Sequence, residues 1–162
     1  MLLALGSRRY DVRTRALVMG VLRPPDELVA EGADILELEI MDRPMPVPVC
    51  VPAYDEASVE RALSTGADLL RLSHPTAGSL SLCAAAGVAV LVPADAAFGA
   101  AAAGLPPERV VVDSLLVDVT TDDCPVAATA VGVIRGARIV RTAHVRAARR
   151  SCDVLAAVLE AR

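Results

Sequence analysis

Asp113 ends the apolar run VVVD, Arg141 ends RIVR, Arg71 interrupts LLRL, and Arg23 follows LVMGVL. Glu37 and Glu39 alternate with apolar residues in ILELEI. In α/β proteins the carboxyl ends of strands are where binding and reactive side chains gather. Asp113 at such an end is either a ligand anchor or a structural carboxylate that caps or pairs with an arginine. Arg141 could grip an anion, or neutralise Glu37 or Glu39. Those two glutamates share one face of an extended strand. If that face is buried, both need cations, because unpaired buried charge is costly, and Arg71, Arg138 or Arg141 could supply them. The leading expectation is a structural salt cluster in place of a substrate site.

His74 and His144 both follow strands, and with Asp113 they could make a three-ligand metal site, although their spacing carries no such signature. Tyr54 and His74 are otherwise rim or packing residues. Cys50, Cys83, Cys124 and Cys152 form no CxxC pair, which argues against structural zinc and a thioredoxin-type motif and for small buried thiols in a reducing cytoplasm. The chain contains no Lys, Asn or Gln, and all 16 basic residues are Arg. Schiff-base lysines, phosphate-loop lysines and carboxamide ligands are therefore excluded.

The elements that must position these residues follow from the apolar pattern. The 162 residues are 54% apolar and only 2% aromatic, so the core is built from Ala, Val and Leu, as suits helices packed on a parallel sheet. The net charge is -4 with no dense basic run, and Arg149-Arg150 reads as a solvated helix face, so no nucleic-acid partner is expected. Met1–Leu5 is too short for a signal peptide. The stretch 86–105 is long enough to span a bilayer, but Pro93, Asp95 and Gly99 interrupt it, so it reads as strand, turn and helix.

LLALGSRRYDV (2–12) predicts a hairpin around Gly6-Ser7. AEGADILEL (30–38), STGADLLRL (64–72), AAGVAVLV (85–92) and IRGARIVR (134–141) each close a helix at glycine and open a strand. Strands are expected over 17–22, 35–41, 49–52, 68–72, 88–92, 110–113 and 137–142. Helices are expected near 25–31, 55–65, 78–86, 95–103, 125–135 and 146–161. Asp55 and Asp123 are expected N-caps, the latter with Pro125 in the first turn. No linker divides the chain, so residues 1–162 are expected to form one domain. VVVDSLLVDVT (110–120) is either one bent strand or two strands whose crossover is gone. A full eight-fold barrel takes about 250 residues, and this chain is shorter.

RALVMGVL (15–22), VAEGADILEL (29–38), LPPERVVVD (105–113), AATAVGVIRGARIVR (127–141) and VRAARRSCDVLAAVLEAR (145–162) resemble dihydropteroate synthase, in order, over nearly the whole chain. The resemblance implies a (β/α)₈ pterin-binding barrel, in a family that condenses a dihydropterin pyrophosphate with p-aminobenzoate, using Mg²⁺, on the way to folate. It also implies site residues. Asp113 matches the sixth-strand aspartate that binds the pterin, its two oxygens accepting the paired N–H donors of an aminopyrimidine edge. Glu37 matches the acidic end of the second strand, and Arg141 the final-strand arginine.

Other positions depart from the family. Arg23 stands where an asparagine helps hold metal and pyrophosphate, and the long loop that follows it is gone. Pro52-Ala53 replaces the third strand's Asp-Thr, and Arg71-Leu72 the fourth strand's Asn-Asp. The seventh-strand Ser-Arg-Lys has no counterpart. Ala143 replaces the final histidine, with His144 displaced by one and turned to another side if the strand continues that far.

The expectation is thus an α/β fold, a shortened or incomplete TIM-type (β/α) barrel with a short N-terminal hairpin. Pterin-binding candidates are Asp113 and Glu37; anion-binding candidates are Arg141, Arg23 and Arg71. No metal or other cofactor is expected, because Arg23 replaces the Mg²⁺ ligand. Exposed strand edges call for a homodimer or a protein partner. Three functions remain open: a cytoplasmic, folate-pathway dihydropteroate-synthase-like pseudoenzyme that binds a pterin or serves as a partner subunit; an active transferase; or a decayed copy with a structural role or none.

Overall fold

The computed structural model describes residues 1–40 and 43–161. Its strands are β1 (Leu2–Leu5) and β2 (Arg8–Asp11), which make the expected hairpin, then β3 (Leu17–Gly20), β4 (Ile35–Glu37), β5 (Val49–Ala53), β6 (Leu69–Leu72), β7 (Ala89–Val92), β8 (Val110–Val112), β9 (Leu116–Asp118) and β10 (Ile139–Thr142). Its helices are α1 (Pro25–Ala30), α2 (Glu56–Thr65), α3 (Ala77–Ala86), α4 (Ala97–Ala102), α5 (Pro125–Ile134) and α6 (Val145–Glu160). The fold is α/β, a shortened TIM-type (β/α) barrel with a hairpin at its start.

Two compact units make up the chain. The first contains Met1, Asp11–Leu36 and Ser114–Arg162. Its strand order is β4-β3-β10-β9, all parallel, with Met19 opposite both Ile35 and Arg141, and Val140 opposite Val117. Val18, Met19, Ile139, Val140, Leu28 and Val145 are fully buried there. Gly20 is needed at the end of β3, because a Cβ would meet Leu28 and Val145 at 3.0–3.2 Å. The second unit contains Leu2–Tyr10 and Glu37–Asp113. Its order is β5-β6-β7-β8, again parallel, with Leu70 opposite Val51 and Val90. Val59, Leu70, Cys83, Val90 and Leu105 anchor its core.

Local chemistry explains the elements. Asp55 and Thr76 open α2 and α3 with complete capping boxes, each closed by a serine three residues on. Gly66 and Gly87 end the same helices at φ of 86° and 66°, where a Cβ would be strained. The recurring Gly-Ala-Asp has a second purpose. Asp34 accepts the N–H of Val18 at 2.8 Å, and Asp68 accepts the N–H of Val49 at 3.0 Å. Each carboxylate thus satisfies a backbone donor near the start of a neighbouring strand.

Some expectations change. β3 stops at Gly20 because Leu22, two residues on, turns to φ 60°. The strand expected over 35–41 ends at Glu37, and Met41 lies outside the described residues. Asp123 is not the cap of α5: Cys124 holds that position without a side-chain bond, and Pro125 needs none at its missing N–H. Cys124 is accordingly exposed, while Cys50, Cys83 and Cys152 are buried as expected. Residues 110–120 form two strands joined by a 3-10 turn, Asp113–Leu115. β8 pairs with β7 and β9 with β10, so no crossover is demanded between them. Residues 86–105 are strand, turn and helix, and among the described residues no helix is long and apolar enough to cross a membrane.

Candidate functional site

In the second unit, Glu37 at the end of β4 meets Arg71 of β6 in a fork, Nε to Oε2 at 3.0 Å and Nη2 to Oε1 at 3.4 Å. The Glu37 side chain is only 8% exposed, so its charge depends on such partners. Glu39 does not share its face: β4 has ended, and Glu39 is exposed. Ending the strand there avoids burying two carboxylates side by side. Arg138 serves neither glutamate. Its guanidinium donates to the carbonyls of Val133 and Ala137 and so caps the end of α5. Asp113 begins the 3-10 turn directly after β8 and is exposed, and among the described residues its carboxylate has no hydrogen-bond or ion-pair partner.

In the first unit the cations are closed by local carboxylates. Arg23 leaves β3 on a four-residue link to α1 and donates to Glu27 at 2.9 Å and Glu31 at 2.9 and 3.0 Å. It also reaches the carbonyl of Ala143 at 3.3 Å. The Arg23 hydrogen bonds hold the Glu31 carboxyl below its ordinary value. Arg141 pairs with Asp118, its register neighbour on β9, at 2.8 Å, and with the Thr120 hydroxyl at 3.2 Å. Burial alone would raise the Asp118 carboxyl, but bonds from Thr120 and Arg141 together hold it low.

β10 stops at Thr142, so strand alternation never reaches His144, which precedes α6 and donates its N–H to Thr142 Oγ1 at 2.9 Å. His74 and Tyr54 are exposed. Among the described residues no group of three His, Cys, Asp or Glu side chains converges to hold a metal. A guanidinium with its own carboxylates at position 23 is no ligand for Mg²⁺, so the first strand end does not fit the metal that the fold implies.

The partners Glu27, Glu31, Asp118 and Thr120 were not among the sequence candidates. A signal existed for the glutamates: Arg23, Glu27 and Glu31 recur at four-residue spacing.

No family model matches the sequence, and no curated protein matches it. Solved structures do. Dihydropteroate synthase from Thermus thermophilus aligns at 26% identity over 98% of this chain and 99% of its own, with a TM-score of 0.79. The fold is that of dihydropteroate synthase. The Thermus enzyme in complex with 4-aminobenzoate matches at 24% identity, covering 98% of this chain and 100% of its own, with a TM-score of 0.79. The Yersinia pestis enzyme with a pterine-sulfa conjugate matches at 15% identity over 99% and 100%, with a TM-score of 0.78. The dihydropteroate synthase fold here carries its eight parallel strands on 162 residues.

Proposed function

We propose that this chain is a dihydropteroate-synthase-like protein of the folate pathway that binds a pterin through Asp113 and does not carry out the condensation. One contrast supports the reading. Arg23, Arg71 and Arg141 are each bound to a carboxylate of their own unit, whereas Asp113 stands exposed and unpartnered among the described residues. Phosphoryl groups need free cations or a metal to stabilise the leaving charge, and the three strand-end arginines, Arg23, Arg71 and Arg141, are occupied. A pterin's aminopyrimidine edge needs only an open carboxylate. That solved relatives hold 4-aminobenzoate and a pterine conjugate favours the same ligand class.

A homodimer or protein partner belongs to this proposal. Val126, Val131 and Ile134 of α5, with Val154 and Val158 of α6, are exposed and support it. Light scattering of the purified chain tests it, and a strict monomer removes the homodimer.

The deciding experiment is calorimetric titration with a dihydropterin, beside Asp113→Ala. Saturable binding that weakens by about tenfold or more in the variant, the loss of one charged hydrogen-bonded contact, supports the pterin site. Equal binding in both proteins, or none from folded protein, rejects it. Formation of dihydropteroate from the pyrophosphate and p-aminobenzoate would instead make the chain an active transferase.

A further inference from the structure

A cavity of about 400 Å³ lies in the second unit, beside α2. That size falls within the roughly 300–1,000 Å³ of small-molecule sites. Asp113 is not among its lining residues, so the cavity is separate from the pterin proposal. Ile40, Val51 and Pro52 are its apolar lining, and Tyr54, 65% exposed, adds a ring.

Its charges come from two different elements. Glu39 stands on the connection that follows β4, and Arg61 on α2. Among the described residues neither side chain has a hydrogen-bond or ion-pair partner, and they do not pair with each other. The remaining polar lining is already spent. Ser58 Oγ accepts the N–H groups of Tyr54 and Asp55 and donates to the Asp55 carbonyl. Thr65 Oγ1 donates to the carbonyl of Ala62. Asp55 lies in the field of Arg61, but its carboxylate is held by the N–H of Ser58 at 2.7 Å. What is left for a ligand is one carboxylate, one guanidinium and one phenol beside the apolar lining.

We propose that this cavity binds a small zwitterion: an aromatic or apolar body with a carboxylate for Arg61 and an ammonium for Glu39. A guanidinium takes a carboxylate in a fork, and a ring can stack on Tyr54 and Pro52. A polyanion such as pyrophosphate meets Glu39 as a like charge, and a simple cation meets Arg61 the same way. Only a ligand carrying both signs satisfies both walls at once.

Calorimetry of the full chain with 4-(aminomethyl)benzoate tests this, beside benzoate and benzylamine, each of which keeps one charge. The zwitterion should bind saturably, and each single-charge probe about tenfold more weakly or worse, as expected for one lost charged contact. Arg61→Ala and Glu39→Gln should each weaken the zwitterion by a similar factor. Both residues are exposed, so their variants should fold, and melting curves check this. Arg9→Ala, exposed on β2, is the control. The proposal fails if folded protein shows no saturable binding. It also fails if benzoate or benzylamine binds as tightly as the zwitterion, or if neither variant changes the affinity.

Discussion

The strand ends of the two units treat charge in opposite ways. In the first, Arg23 and Arg141 are each tied to carboxylates a few residues or one register step away. In the second, Glu37 and Arg71 close on each other, but Asp113 and Glu39 stay open to solvent, as does Arg61 on α2. The difference teaches where function can persist. A cation that has found its own carboxylate is part of the scaffold; an exposed charge with no partner is available to a ligand.

The largest stability effect should come from the Glu37–Arg71 pair of the second unit. Arg71→Ala leaves the Glu37 carboxylate short of a partner, and because Arg71 is partly exposed the loss should be about 2–3 kcal/mol, at the lower edge for buried pairs. Urea unfolding measures it. A loss below about 0.5 kcal/mol would place the pair among ordinary surface contacts and return Arg71 to the open class.

Gly132→Ala probes the first unit. Alanine normally stabilises a helix interior by about 1 kcal/mol relative to glycine. Here the added Cβ would lie 2.8–2.9 Å from three atoms of Val117, a stiff β-branched side chain. Overpacking should win, with a net loss of about 1–2 kcal/mol. A stabilised variant would show that α5 and β9 can move apart.

Acid should act on the first unit through Glu31 and Asp118. Both carboxyls are held below their ordinary values in the folded chain. The stability they lend is complete above the ordinary carboxylate pKa of about 4 and is lost as pH falls through their lower folded values. Melting points should therefore drop in acid, and less steeply in Glu31→Gln with Asp118→Asn. An unchanged slope would remove these carboxylates from the closure. The smallest perturbation is a thiol count. Burial pushes Cys83 and Cys152 up to about 11, and Cys50 is buried, so Cys124 alone should react quickly with a disulfide reagent at pH 8. Fast reaction of a second thiol would mean that a core opens readily.

Much of the architecture was legible in the sequence because apolar runs, glycine stops and capping residues are local signals. Asp55, Gly66 and Gly87 act where the pattern placed them. Pairing across the sheet was not legible. The Arg71 fork to Glu37 spans 34 residues, and Arg141 meets Asp118 only through strand register. The pattern ILELEI puts Glu39 on the face of Glu37, but the strand ends before it. The cavity beside α2 had no sequence signal at all, since its lining comes from three separate segments.

The Gly-Ala-Asp pairs have a consequence for assembly. Asp34 and Asp68 each reach one particular amide, that of Val18 and that of Val49. If either strand slid by one position, a buried strand N–H would lose the carboxylate that accepts it. The two aspartates therefore proofread strand alignment, and they make the amide protons of Val18 and Val49 candidates for the last to exchange with deuterated solvent.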